Sequence, residues 1–139
     1  MGHVIDDRSL RELHLSEPEP PKYYVSASYV EWTTRVTLWR PPTDVVETDG
    51  ALIVRLEVAG MEGGEFHISV QPNLLAVRGV RGGSGIRGAY QQMEINTGEF
   101  ISLVEFQLSL DIDDVNANYR DGFLTVTLPK LAPGDGSLQ

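Results

Sequence analysis

The residues with types suited to chemistry lie in a few short stretches. Gly83 to Gly88, "GSGIRG", matches G-x-G-x-x-G, the spacing with which a glycine turn seats a pyrophosphate against a helix N-terminus. That chemistry needs a strand before the glycines and a helix after them. A strand does precede, but "AYQQMEINTG" leaves room for at most about two helical turns before Gly98, and no βαβ unit surrounds it. The stretch reads as a flexible loop. "DIDDVNANYRDG", from Asp111, has the acidic flavour of a calcium loop. An EF-hand there would need an oxygen ligand at Val115 and a glycine at Asn116, and neither is present. It reads as a solvated polar connection. His3 and His14 lie in the N-terminal region, and His67 falls opposite Phe66 and Ile68 on an alternating strand, toward solvent. None has metal-ligand spacing, and no G-x-S-x-G elbow supports a serine nucleophile. The expectation is a protein without catalytic residues, metal or cofactor.

The elements around these stretches point the same way. With 139 residues, 41% hydrophobic and 22% charged, the chain can bury a core of its own. It has no cysteine, and so no disulfide or thiolate site. The N-terminus lacks the basic start and apolar middle of a signal peptide, and no apolar run suits a membrane helix. A cytoplasmic protein without a membrane partner is expected. The net charge of −9 is uneven: residues 41–130 hold thirteen acids against six bases. Such a surface repels phosphates, so no nucleic-acid partner is expected.

Residues 1–39 read as an arm. Asp6 or Asp7 can cap a short helix presenting Leu10 and Leu13, which Pro18, Pro20 and Pro21 must stop. "YYVSASYVEWTTRVTLW" follows, rich in aromatic and β-branched residues but without a clean period. From Trp39 onward the pattern changes. Strands are expected at Asp44–Glu47 and Ala51–Val58, with Leu52, Val54, Leu56 and Val58 on one face, Arg55 and Glu57 on the other. "EFHISVQPNLLAVRGVR" gives a hairpin around Pro72-Asn73. "YQQMEI" can form a short strand, and "EFISLVEFQLSL" a long one. Finally Asp121-Gly122 turns the chain into "FLTVTLPK", with Leu124, Val126 and Leu128 on one face, and Pro129 ends pairing because it lacks a donor. About seven short strands at this spacing, with no strong helical period over residues 40–130, argue for an all-β sandwich.

"ANYRDGFLTVTLPK", residues 117–130, resembles the signature that closes the α-crystallin domain of small heat-shock proteins, through Ala117, Gly122, Phe123, Leu124, Leu128, Pro129 and Lys130. "WRPPTDVVETDGALIVRLEVAG" and the hairpin after it resemble the front of the bacterial version, and "YQQMEINTGEF" resembles its middle. The likeness runs over residues 40–130, leaving 131–139 as a tail. It implies an immunoglobulin-like sandwich of seven or eight strands, acting as an ATP-independent holdase that binds unfolding proteins and limits aggregation.

The resemblance also implies site residues. Bacterial members dimerise by swapping a strand from the long loop, here Tyr90, Met93 and Ile95, with "GGSGIRG" giving the reach. An apolar docking groove would lie between Phe66, Ile68, Val70 and Leu124, Val126, Leu128. Clients would bind the arm at Leu10, Leu13, Tyr23, Tyr24, Tyr29 and Trp32; the alternative is that these aromatics pack on their own sandwich. The chain also departs from the family. Its strand arginine falls at Ser102, its Leu-Pro at Phe106-Gln107, and Leu103 and Val104 are apolar where the family is often basic. The tail "LAPGDGSLQ" has no I-x-[IV] plug, so large oligomers would have to rely on the arm. An adaptor with one dedicated partner and no general chaperone role is the competing reading.

Overall fold

The computed structural model describes residues 18–27 and 38–132. It contains eight strands. They are β1 (Lys22–Ser26), β2 (Thr43–Glu47), β3 (Ala51–Glu57), β4 (Glu65–Gln71), β5 (Leu74–Arg81), β6 (Gly98–Glu105), β7 (Asn116–Arg120) and β8 (Phe123–Pro129). Two four-stranded sheets, ordered β1-β4-β5-β6 and β2-β3-β8-β7, face each other as a sandwich. No helix occurs among the described residues.

Alternation decides the core. Leu52, Val54 and Leu56 of β3 and Leu124, Val126 and Leu128 of β8 point inward from one sheet. Phe66, Ile68 and Val70 of β4, Leu75 and Val77 of β5, and Phe100 and Val104 of β6 meet them from the other. β3 and β8 are antiparallel with Leu52 opposite Leu128 and Leu56 opposite Leu124, so a slip of one residue would expose both inward sets. On the outer face the Arg55 guanidinium lies 3.8 Å from the Phe123 ring centroid, so the residues expected to face out cover one another.

The β7–β8 hairpin turns on Asp121 and Gly122, both at positive φ (53° and 85°). This is the two-residue geometry whose twist matches that of the strands. A Cβ on Gly122 would also sit 3.3 Å from the Ala59 side chain. Gly79 of β5 is tighter: a Cβ there would come within 2.5 Å of the Phe100 ring and 3.0 Å of the Glu65 carbonyl oxygen. Gly79→Ala is therefore expected to cost about 1–3 kcal/mol by overpacking, seen as a lower urea midpoint with an unchanged slope.

The sandwich differs from the sequence reading in places. "YQQMEI" is not a strand in the single chain. The strand read as long ends at Glu105. β7 lies in what was read as a polar connection, where Ala117 and Tyr119 alternate with Asn116, Asn118 and Arg120. Asparagine is poor in strands, and its low propensity masked the alternation. Residues 22–26, read as arm, form β1, a parallel neighbour of β4. Only Tyr23 of that strand is even partly buried, so no period was there to be read.

Candidate functional site

Both ends of the sandwich present features suited to binding rather than to chemistry. The first is the connection between β5 and β6. All of residues 82–97 are exposed. Ile95 is 77% exposed, Ile86 72%, Met93 66% and Tyr90 54%. Connections this long without regular structure are uncommon in compact domains and are usually functional. Its base is fixed by Arg81, whose guanidinium donates to the Asn96 carbonyl (2.6 and 3.0 Å) and the Ala59 carbonyl (3.2 Å) and lies 4.4 Å from the Trp39 ring centroid. Within the loop, the Ser84 and Tyr90 hydroxyls are 2.7 Å apart. Between the loop and Ala59-Gly60 lies a largely apolar hollow of about 440 Å³, walled by Tyr90, Met93 and Ile95. The residues expected to swap thus project from their own domain without packing into its core.

Across the sandwich, β2 is an edge strand with Val45 and Val46 half exposed. Such an edge is a template for another chain. The sheet edge at β6 is instead partly closed. Trp39 N–H donates to the Glu99 carbonyl (3.2 Å), and Ile101 N–H to the Trp39 carbonyl (3.0 Å). Nearby, Ser102 is fully buried. Its Oγ is 2.7 Å from Thr43 Oγ1 and accepts from Arg40 Nε at 3.3 Å, while Arg40 also donates to the Leu103 carbonyl. A guanidinium therefore does reach this part of β6, from Arg40 rather than from position 102. The sequence reading missed Arg40 because its partner is 62 residues away.

The second feature is the cleft between β4 and β7, where β1 lies along β4 as the edge strand of its sheet. Phe66, Ile68, Val70, Leu124, Val126 and Leu128, expected to line an apolar docking groove, are all buried in the interior. Among the described residues the β4 side of that groove is occupied by β1, which lies along β4 from Lys22 opposite Glu65 to Ser26 opposite Ser69. Tyr23 closes the cleft. Its ring stacks on Phe66 (6.0 Å, 10°), and its hydroxyl accepts the Tyr119 N–H of the opposite sheet at 2.8 Å. Tyr24 lies on the outer surface, stacked on His67 (5.0 Å, 13°). Of the arm residues expected to bind clients, Tyr23 packs on its own sandwich and Tyr24 is about half exposed. Leu10, Leu13, Tyr29 and Trp32 lie outside the described residues.

Tyr119 supports the cleft from below. Its hydroxyl donates to the Val58 carbonyl (2.9 Å) and accepts the Met61 N–H (3.3 Å). Burial raises its phenol above the usual value, the Met61 hydrogen bond opposes this, and the Glu62 carboxylate adds to it. A raised folded-state value means that this stabilisation is full below about pH 10 and is lost as pH rises through the folded value. Urea midpoints of the natural chain should therefore fall more steeply above about pH 10 than those of Tyr119→Phe, with parallel profiles below it.

The stretches first singled out for chemistry have other roles. Gly83 to Gly88 start no helix. Asp111 accepts the Asp113 N–H at 3.2 Å in a turn leading to β7. His67 is 3.4 Å from Glu65 on the surface. Among the described residues no group of three or more His, Cys, Asp or Glu can hold a metal ion. No helix among them is long and apolar enough to cross a membrane.

Residues 44–137 match the model of the Hsp20/alpha crystallin family. A 19.0 kDa class II heat shock protein of Oryza sativa is 35% identical over 104 residues, covering 66% of this chain and 58% of that protein. A probable 15 kDa heat shock protein of Leptospira interrogans is 25% identical, covering 71% of this chain and 76% of the other. The match spans about three-fifths of the length of the plant relatives. Among solved structures, heat shock protein 16.0 from Schizosaccharomyces pombe superposes with a TM-score of 0.60 at 26% identity, over 67% of this chain and 88% of that one. HspA from Xanthomonas axonopodis, at 22% identity, has a TM-score of 0.62 over 68% of this chain and 96% of that one, a likeness of fold.

Proposed function

The chain belongs to the Hsp20/α-crystallin family, the small heat-shock proteins, and from that premise we propose that it is an ATP-independent holdase of the cytoplasm, which binds unfolding proteins and limits their aggregation. Members of this family are non-enzymatic chaperones of the stress response that form oligomers and bind unfolding clients. The reading for this chain is binding without chemistry. The observation that carries it is the exposed segment 82–97 with Tyr90, Met93 and Ile95 unburied. Apolar side chains left this open are costly in a lone molecule and favour a partner.

The partner that fits first is a second copy. In a homodimer, residues 90–95 of one protomer add to the free β2 edge of the other, where Val45 and Val46 wait for neighbours. Clients then use the aromatic arm, with Leu10, Leu13, Tyr24, Tyr29 and Trp32, together with the β4–β7 cleft when it opens.

Suppression of heat-induced aggregation of a standard client tests the function. Substoichiometric to equimolar full-length chain is expected to suppress light scattering without nucleotide, and Tyr29→Ser/Trp32→Ser to suppress less. If scattering is unchanged at every ratio and temperature, the dedicated-adaptor reading replaces this one. A pull-down should then return one stoichiometric partner.

A further inference from the structure

We propose that the hollow between the segment 82–97 and Ala59-Gly60 is a binding site for a medium-chain fatty acid, its carboxylate on Arg81 and its tail among Tyr90, Met93 and Ile95, and that filling it holds the chain back from pairing. The volume, about 440 Å³, lies within the roughly 300–1,000 Å³ of small-molecule sites. Such sites join apolar walls to a few convergent polar groups. Here the walls are Tyr90, Met93 and Ile95 on one side and Ala59-Gly60 on the other. The Ser84 and Tyr90 hydroxyls in the same wall bond to each other (2.7 Å).

The convergent polar group is Arg81. A guanidinium carries five N–H donors. Nε and Nη2 each donate to the Asn96 carbonyl and Nη1 donates to the Ala59 carbonyl, so one N–H on each terminal nitrogen is left. The side chain is half-buried, and no carboxylate among the described residues lies within ion-pair distance of it. Glu94, the one acid lining the hollow, accepts instead from the Gln92 side-chain amide at 2.5 Å. A part-buried cation without a counter-ion favours an anion beside it, and the guanidinium fork fits a carboxylate with two parallel bonds. One cation among apolar walls selects a single negative charge with an aliphatic tail over a compact anion, which would leave those walls unfilled. Ligand and partner then compete. Residues 90–95, which wall the hollow, are those proposed to add to a second copy, so this regulation rests on the dimer reading, while the site itself does not. A ligand bound only by the unpaired chain weakens pairing by mass action. At ten times its dissociation constant it should weaken the dimer roughly 100-fold, about tenfold from each chain.

Calorimetric titration of the full-length chain with octanoate, beside octanol and acetate, tests the site. One octanoate per chain is expected, bound roughly tenfold or more tightly than either control, since octanol lacks the charge and acetate the tail. Arg81→Gln should lose the preference for octanoate and keep its binding of octanol. Val46→Lys is titrated in parallel, because a charge on the β2 edge, away from the hollow, blocks strand addition and keeps the chain unpaired. No saturable binding by either chain overturns the site. So does octanol bound as tightly as octanoate, or an Arg81→Gln chain that loses both alike. Sedimentation of the natural chain with and without octanoate tests the competition. A dimer that dissociates as the site fills supports it. Octanoate bound by a dimer of unchanged affinity, or a chain that is monomeric without ligand, overturns the competition and the pairing of 90–95 together, and the site then stands on the titration alone.

Discussion

Met93→Ser/Ile95→Ser is expected to convert the proposed dimer into a monomer at micromolar concentration while leaving the fold intact. Both side chains are about two-thirds exposed or more in the single chain, so neither supports its own core. In the dimer they would be covered. Burying an aliphatic side chain of this size is worth about 1.5–3 kcal/mol, so removing both should cost about 3–6 kcal/mol of association. That is roughly a 10²- to 10⁴-fold weaker dissociation constant. Sedimentation over a dilution series measures the shift, and the urea midpoint of the dissociated chain should match that of the natural monomer. A dimer of unchanged affinity would place the contact elsewhere on the molecule. If affinity and urea midpoint fall together, the loop supports its own domain more than its exposure implies.

Phe66→Ala is expected to be the most damaging core change, at about 3–5 kcal/mol. Its ring is where the two sheets and β1 meet: 6.0 Å from Tyr23, 6.2 Å from Phe100 and 5.5 Å from Tyr119, centroid to centroid. Truncation leaves a cavity walled by three rings that cannot all move into it, because Tyr119 is tied to Val58 and Trp39 packs against Phe100. For a domain of this size the loss corresponds to a melting point lower by about 10 °C or more. Tyr23→Phe gives the scale for comparison. It keeps the stacking and loses one hydrogen bond, for about 1 kcal/mol. A cost for Phe66→Ala no greater than that would mean the rings collapse freely, and the junction would not be the keystone of the core.

Most of the sandwich was legible in the sequence. The alternation at Leu52–Val58, Phe66–Val70 and Leu124–Leu128 names the inward faces, and Asp121-Gly122 marks its turn, because each signal is local. What was missed depends on distance along the chain. β1 is fixed by Glu65–Ser69, Ser102 by Arg40, and the Tyr119 N–H by the hydroxyl of Tyr23. No periodicity within one segment encodes such pairings. The docking groove shows the same gap: its apolar residues could be named from alternation, but that they close on one another and are roofed by β1 could not.

The exposed segment 82–97 has a bearing on how such proteins diversify. Its side chains are all exposed in the unit that carries them, so under the pairing proposed above substitutions there would alter who pairs with whom at little cost to folding. On that proposal the determinants of folding and of mating sit in different stretches of one chain. A duplicated copy could therefore acquire a private pairing preference in a few steps, and two such proteins could share a compartment without mixing subunits.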